Sequence, residues 1–334
     1  MTSAVPRVLV VADTPGWAWD RKAQEYARWT PPDVFDVTVA YQTQGLPDLR
    51  TFDLIHLFEV SQLRVIPEGF DRPVIAGLTA MVWWTWGADR MRAWADRCVA
   101  LHGNSLMLVE QLRQFHSRVF YAPNGVDLLF WHRPEPRGAA QGFAVCHVGK
   151  PNPRKGSSLL IDAARRADVP VYLCQRTAHI RLPSEDIRDI YRRSWAHVSP
   201  SDMDGTPNTA LEAAACECAL ISTPIGNMPD VIVHGMNGFL IGQDLLPKPF
   251  RPWIAALVEP HPENLPEFAR WTPDEVEDRR ERLIDEMVII LTWMCDHPGE
   301  TARMGAEARR TIKKGWTWQH QVPHVTAMWK ACLR

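Results

Sequence analysis

The chain has 334 residues, of which 46% are hydrophobic and 23% are charged. This composition is typical of a folded globular protein and excludes a largely disordered chain. The 37 Lys and Arg residues nearly balance the 39 Asp and Glu residues, and a net charge of −2 excludes an overall basic field for nucleic acid or anionic membranes. At roughly 100–200 residues per domain, the length favours two domains.

Cysteine usage and hydropathy indicate the setting of the protein. Seven cysteines form no disulfide framework by their spacing, which favours reduced thiols, and Cys216 and Cys218 lie too close together for the usual zinc spacing. The apolar runs at 8–12 and 288–295 are too short to span a bilayer. We therefore expect a cytoplasmic protein without integral membrane association and without a metal site.

Short apolar runs alternate with helical spacing in the first part of the chain. The apolar runs predict strands over 8–12, 34–40, 52–58, 73–78, 98–101 and 119–122. Helical spacing lies between them, over 21–29 and 106–115. Short strands separated by helices predict βαβ units, a parallel sheet and helices on both of its faces.

The same alternation begins again after a loop rich in Pro and Gly at 133–142. Strands are predicted over 143–148, 169–173, 197–200 and 219–223, with helices over 157–167 and 209–216. Seven prolines between Pro247 and Pro273 predict an irregular excursion over 243–275, followed by helical spacing over 274–310 and a last helix that ends at Arg334. The pattern predicts an α/β protein of two doubly wound, Rossmann-like lobes that face each other across a cleft at the carboxyl ends of their strands.

The densest group of cations lies in the segment 147–156, where a predicted strand passes into a helix. Lys150, Arg154 and Lys155 stand there together with Gly149 and Gly156. Backbone N–H groups and the helix dipole favour an anion at such a position, and lysines add positive charge. The spacing is neither that of a Walker loop nor that of a dinucleotide fingerprint. It predicts a phosphate site, with a solvated basic turn as the alternative.

A second group of polar residues follows the next strand but one. Asp204 lies in the loop between Pro200 and Pro207, and Glu212 follows eight residues later on an otherwise apolar helix. Burial of a carboxylate is unfavourable unless it is hydrogen-bonded, and the hydroxyls of a sugar or ribose are suitable partners. The alternatives are an exposed helix face for Glu212 and a metal–nucleotide site built from Asp202 and Asp204.

In combination and in order, these motifs resemble the donor-binding domain of retaining glycosyltransferases of the GT-B fold, family 4. The residues that match the family pattern are Gly149, Lys150, Lys155, Gly156, Pro200, Ser201, Asp204, Gly205, Glu212, Thr223, Gly226, Asp230, Asn237, Gly238 and Phe239. The first half agrees more loosely, at 52–56, 104–105 and 123–127. The end of the chain is similar to the family's last helix, which crosses back onto the first lobe. The resemblance implies an acceptor-binding lobe of 1–138 plus 318–334 and a nucleotide-sugar-binding lobe of 139–317.

The resemblance also implies roles for single residues. Lys150 and Lys155 are expected to hold the donor diphosphate, Asp204 to touch the transferred sugar, and Glu212 to bind the ribose. The other donor-binding residues implied are Gly149, Arg154, Gly156, Ser201, Gly205, Thr206, Asn208 and Thr209. On the acceptor side stand Gly16, Trp17, Trp19, Trp83 and Trp84, where the tryptophans either stack on the acceptor or fill the core.

One position departs from the family. Many members carry a His after the strand predicted at 73–78, whereas this chain continues with Thr79 and Ala80. Catalytic details that depend on that His do not transfer to this chain.

The activity implied is transfer of a hexose from a UDP- or GDP-linked sugar to an acceptor hydroxyl, with retention of configuration. No cofactor is expected, and a metal ion is expected to be unnecessary because lysines neutralise the leaving diphosphate. The acceptor stays open between a glycan, a lipid-linked sugar and a hydroxymethylated DNA base, and the sequence predicts no oligomeric state. A nucleotide-sugar epimerase of the same fold and a non-catalytic nucleotide-sugar-binding protein are the alternatives.

Overall fold

The computed structural model describes residues 4–80, 86–133, 135, 142–149, 153–175, 182–201, 204–243 and 272–334. It divides into two compact units. Unit 1 comprises Met1–Gly125 and Trp318–Arg334, and unit 2 comprises Val126–Thr317. Each unit contains a parallel β-sheet with helices packed against it.

The sheet of unit 1 has the strand order β2-β1-β3-β4-β5-β6. In chain order its elements are β1 Arg7–Ala12, α1 Ala18–Trp29, β2 Asp36–Tyr41, β3 Leu54–Leu57, β4 Val74–Leu78, α2 Ala88–Ala95, β5 Ala100–Gly103, α3 Leu106–Leu112 and β6 Val119–Tyr121. The strands β3, β4 and β5 are buried along their whole length. Burial on both faces explains why their sequences are continuous apolar runs instead of alternating ones.

The last helix of the chain, α10 (Trp318–Cys332), belongs to unit 1 and completes its core. Trp329 is fully buried and packs edge-on against Tyr26 of α1 at 6.2 Å and against Phe35 at 5.4 Å between ring centroids. Its indole N–H donates to Nδ1 of the buried His56 at 2.9 Å, so the polar edge of the ring is satisfied inside the core.

The sheet of unit 2 has the strand order β11-β10-β9-β7-β8. In chain order its elements are β7 Val145–Gly149, α4 Ser157–Arg166, β8 Val171–Gln175, α5 Ser184–Arg193, β9 Ala196–Ser199, α6 Asn208–Ala215, β10 Ala219–Ser222, α7 Met228–Val231, β11 Gly238–Leu240, α8 Pro273–Asp296 and α9 Pro298–Gly315. Val145 packs with α4 and α8, whereas its neighbour Cys146 packs with α5 and α6. Helices therefore cover both faces, and the predicted α/β class with two doubly wound sheets is confirmed.

The boundary between the units differs from the predicted position at 138/139. It lies between Gly125 and Val126 because the segment after Val126 is tied into unit 2. The Val126 N–H donates to the carbonyl of Trp316 at 2.9 Å, and the buried Trp131 packs against Tyr191 at 5.6 Å between ring centroids. The predicted boundary followed the Pro- and Gly-rich loop at 133–142, whereas the contacts of Val126 and Trp131 place the start of unit 2 before that loop.

Two further expectations for the C-terminal part are corrected. Most of the predicted excursion 243–275 lies outside the described residues, but α8 already begins at Pro273, where Thr272 accepts from the Glu275 N–H and forms a capping box. The helical spacing over 274–310 belongs to two helices, which part at His297 because Pro298 lacks the N–H that a continuous helix requires.

Candidate functional site

The turn between β7 and α4 brings part of the predicted phosphate site into a defined conformation. A 3₁₀ helix at Pro153–Lys155 leads to Gly156, which precedes α4 with φ of 64° and ψ of 21°. A Cβ atom at Gly156 would lie 2.2 Å from the carbonyl oxygen of Pro200, so only glycine fits the close approach of this turn to the end of β9. Lys150 lies outside the described residues, and its predicted role stays a prediction.

Lys155 and Asp204 meet in the structure, although they are 49 positions apart. The Lys155 Nζ atom lies 2.5 Å from the Asp204 Oδ2 atom, with 27% and 18% of the two side chains exposed. The hydroxyl oxygen of Ser201 lies 3.0 Å from the carbonyl oxygen of Arg154 and 3.3 Å from Asp204 Oδ2. These contacts join the loops after β7 and β9 and bring four of the predicted site residues together.

The loop after β10 contacts the backbone on both sides of Asp204. Gly226 has φ of 53°, and a Cβ atom there would lie 2.1 Å from the carbonyl oxygen of Gly205 and 2.7 Å from that of Asp204. The Thr223 hydroxyl donates to the carbonyl of Ser201. The family-like Thr223 and Gly226 therefore hold the backbone of the Asp204 loop.

The remaining predicted donor-binding residues lie where this loop enters α6. Gly205 and Thr206 are buried, while Asn208, Thr209 and Glu212 are half-buried. The Tyr191 hydroxyl donates to Glu212 Oε2 at 3.4 Å, so the alternative of an exposed helix face for Glu212 is wrong. Burial, followed by the charge of Glu212, raises the pKa of Tyr191 well above its usual value, which keeps this hydroxyl a donor.

Two buried histidines near Lys155, His147 and His197, were not predicted as part of the site, since both lie within strands. His147 and His197 stack at 6.5 Å between ring centroids. The His147 Nδ1 atom lies 2.8 Å from the carbonyl oxygen of Val198, which makes it the protonated nitrogen, and its Nε2 atom accepts from Ser157 at 3.2 Å. Burial lowers the pKa of His147. Burial, followed by the repulsion that a protonated His197 would meet from a protonated His147 and from Lys155, lowers the pKa of His197 to about 3. Both rings are neutral and add no charge to the site.

The first-lobe residues assigned to the acceptor side are only partly described. Gly16 has φ of 78°, and its N–H donates to Asp20 Oδ2 at 2.6 Å. Trp17 directly precedes α1, whereas the half-buried Trp19 packs on Phe58 at 6.2 Å between ring centroids. Trp19 thus fills the edge of the unit 1 core, which was the alternative to stacking on an acceptor. Trp83 and Trp84 lie outside the described residues.

The described part of the chain shows no arrangement for a metal ion, a disulfide or a membrane span. No group of three or more His, Cys, Asp or Glu side chains is arranged there to hold a metal ion. All seven cysteines are free thiols, and Cys216 and Cys218 are buried. None of the described helices combines the length and the apolar character that crossing a membrane requires.

The chain is similar in sequence to known glycosyl transferases over part of its length. Residues 115–258 match the family of glycosyl transferases group 1. Over 206 residues the chain is 25% identical to the alpha-maltose-1-phosphate synthase of Mycolicibacterium smegmatis, and 23% identical to that of Mycobacterium tuberculosis. These alignments cover 47% of this chain and 53% of each relative, so the chain spans about half the length of the curated relatives it matches.

Solved structures are similar over nearly the whole chain. Anabaena HepE in complex with UDP and glucose superimposes with a TM-score of 0.64 at 15% identity, covering 98% of this chain and 100% of that one. The sucrose-phosphate synthase of Thermosynechococcus elongatus gives a TM-score of 0.65 at 12% identity, covering 98% of both chains. At these identities the likeness shows the fold, which is that of the GT-B glycosyltransferases.

Proposed function

We propose that this protein is a retaining glycosyltransferase of family 4 that transfers a hexose from a UDP- or GDP-linked sugar to an acceptor hydroxyl. The proposal rests chiefly on the Lys155–Asp204 pair, which stands between the start of α4 and the start of α6. A cation beside the N-terminus of a helix suits a diphosphate, and a carboxylate next to it suits the hydroxyls of the attached sugar.

In the proposed reaction, the bond between the anomeric carbon and the diphosphate oxygen breaks and a bond to the acceptor oxygen forms on the same face. The acceptor proton passes to the departing diphosphate. Lys155 and the N–H groups at the start of α4 stabilise the charge that develops on the leaving group. Lys150 is expected to add a second cation, Glu212 to bind the ribose, and Asp204 to hold the sugar. Metal is expected to be unnecessary for this charge balance.

The comparisons support a uridine nucleotide as the first donor to test. Similar structures were solved with UDP and glucose (Anabaena HepE) and with UDP and GlcNAc (the pneumococcal O-GlcNAc transferase GtfA). The match of residues 115–258 includes Lys155, Asp204 and Glu212. Because the sequence likeness extends over only part of the chain, support for the donor half is stronger than support for any acceptor.

The test is a thermal-shift and turnover screen with UDP-glucose, UDP-GlcNAc and GDP-mannose. We expect one donor to stabilise the protein and to be hydrolysed slowly to the nucleoside diphosphate without an acceptor. Lys155→Ala is expected to weaken binding of that donor, whereas Lys313→Ala, at an exposed position near the end of α9, is the matched control. A new nucleotide sugar as product would indicate an epimerase, and binding without turnover would indicate a non-catalytic protein. Equal donor affinity in Lys155→Ala and wild type would contradict the proposed site.

A further inference from the structure

The carboxyl edge of the unit 1 sheet holds buried polar atoms for which the described residues supply no hydrogen-bond partner. These atoms are Gln42 Nε2, Asp13 Oδ1 and Glu59 Oε1. They follow β2, β1 and β3, which are adjacent strands, so they line one stretch of the sheet edge. Glu59 is only 7% exposed. A buried polar atom without a partner is costly, and several together mark a place where another molecule completes the hydrogen bonds.

Glu59 is held firmly in this position. Its N–H donates to Gln62 Oε1 at 2.9 Å, and Gln62 Nε2 donates to the carbonyl of Val11 at 3.0 Å. These bonds tie the 3₁₀ helix Val60–Val65 to the end of β1. The Thr79 side chain donates to the Glu59 carboxyl group. Thr79 directly follows β4, at the point where many family members carry the His that this chain lacks.

The environment keeps Glu59 neutral near pH 7. Burial raises the pKa of its carboxyl group to about 8, against the opposing effect of the hydrogen bonds from Thr79 and the Val60 backbone. A neutral carboxyl group has one oxygen that accepts and an O–H that donates. It therefore matches a hydroxyl group, which also donates and accepts.

The charges around this edge argue against a phosphate-bearing acceptor. Asp13 and Asp20 add carboxyl groups, and Asp20 accepts from Gly16 N–H at 2.6 Å and from the Tyr41 hydroxyl at 2.8 Å. The Lys22 ammonium points away into the core, where it donates to the carbonyl of Ala122 at 3.2 Å.

One cation does approach this edge. The exposed Arg64 reaches the acceptor oxygen of the Gln42 amide at 3.4 Å and leaves the amide nitrogen available. Acids that repel phosphate can still accept hydrogen bonds from sugar hydroxyls.

We propose that Glu59, together with Asp13 and Gln42, binds the hydroxyl groups of a neutral sugar acceptor at this edge of unit 1. The inference rests on the proposed glycosyltransferase function and deepens it by choosing a carbohydrate over a DNA base as the acceptor. Glu59 is then an acceptor-binding residue next to Thr79, where many family members carry a His.

The experiment uses the full chain and whichever nucleotide sugar the wild type hydrolyses. Initial rates of transfer to p-nitrophenyl glucosides and free glucose are measured for Glu59→Ala, Glu59→Gln and, as an exposed control, Glu68→Gln. We expect Glu59→Ala to raise the KM for the sugar acceptor about ten-fold, the loss of one hydrogen bond of about 1.4 kcal/mol. The donor KM and the slow donor hydrolysis stay unchanged. Glu59→Gln retains an N–H donor and is expected to show the smaller increase, and Glu68→Gln none.

Three outcomes overturn the inference. The first is that Glu59→Ala has the same KM for the sugar acceptor as the wild type. The second is that the wild type transfers the sugar to a DNA duplex that contains hydroxymethylcytosine but to none of the sugar acceptors. If Glu59→Ala does not fold, Glu59→Gln and Asp13→Asn carry the same comparison, with thermal unfolding and donor hydrolysis as the check on the fold. The third outcome, wild-type protein that neither binds nor hydrolyses any nucleotide sugar, defeats the proposed function itself and is recognised before any acceptor is added.

Discussion

The approach of Gly156 to Pro200 gives the sharpest test of how the loops after β7 and β9 are held together. An alanine at position 156 must keep a φ near 64°, which destabilises a residue with a side chain by about 1–2 kcal/mol. Its methyl group would also lie 2.2 Å from a backbone oxygen that cannot move without displacing the end of β9. Overpacking of this kind adds about 1–3 kcal/mol. We therefore expect Gly156→Ala to destabilise unit 2 by about 3 kcal/mol.

Gly235 provides the matched control in the same unit. Its φ is 79°, and a Cβ atom there would meet nothing within 4 Å, so Gly235→Ala has the backbone penalty without the collision. For a unit of this size about 1 kcal/mol lowers Tm by roughly 2–4 °C. Gly156→Ala should lower Tm by roughly 6–12 °C and weaken donor binding, and Gly235→Ala should lower Tm by the smaller amount of roughly 2–8 °C with normal donor binding. Equal Tm shifts in differential scanning calorimetry would show that the contact with Pro200 has no energetic effect.

Three further predictions concern single contacts. Asp204→Asn removes the carboxylate whose Oδ2 atom lies 2.5 Å from the Lys155 Nζ atom and competes with a phosphate for it. We therefore expect tighter binding of UDP in calorimetry but slower sugar transfer. Weaker UDP binding would contradict this prediction. Gly77→Ala would place a methyl group 2.2 Å from His102 Cε1. In urea unfolding, the double variant with His102→Ala should lose at least about 1 kcal/mol less free energy of unfolding than the two single variants lose together. Strict additivity of the two losses would contradict this contact. Burial lowers the pKa of Lys22 from 10.5 to about 7, so the unfolded chain binds the extra proton between these values. The contribution of Lys22 to the free energy of unfolding should therefore rise with pH across that window by about 1.4 kcal/mol per pH unit, measured as the difference in slope between wild type and Lys22→Met. Lys22→Met should flatten that rise, and an unchanged slope would show that Lys22 is solvated.

The strands were predictable because the strands of a doubly wound parallel sheet are buried on both faces. Each leaves an apolar run such as 73–78, which the structure contains as β4, Val74–Leu78. Helix α5 was not predicted, because only three residues of Ser184–Arg193 are apolar, the buried Ile187 and Tyr191 and the partly buried Ile190, and the other seven are polar. A short helix with so narrow an apolar face resembles a charged loop in sequence.

The site was predictable to the extent that it depends on backbone geometry. Glycine at 156 and 226 is required by close approaches to the backbone of neighbouring loops, and such a requirement leaves a fixed residue type at a fixed spacing. The pairing of His147 with His197 leaves no such mark, because a histidine inside a strand has the same sequence appearance whether it is buried or exposed. The orphaned atoms of Glu59, Asp13 and Gln42 are also invisible in the sequence, since their lack of partners depends on packing from all sides.

The two sheet edges differ in chemistry in a way that fits a transfer between unlike substrates. In unit 2, Lys155 lies beside the start of α4, and its neighbours His147 and His197 are kept neutral by burial, so no further histidine charge alters the field there. In unit 1, Glu59 is neutral for the same physical reason. Its edge presents hydrogen-bonding groups and acids, and the Arg64 guanidinium that reaches it is bonded to the Gln42 amide oxygen. Burial thus keeps the two histidines neutral at one edge and Glu59 neutral at the other. These two environments support the proposed substrates, a donor with a diphosphate and an acceptor with hydroxyl groups.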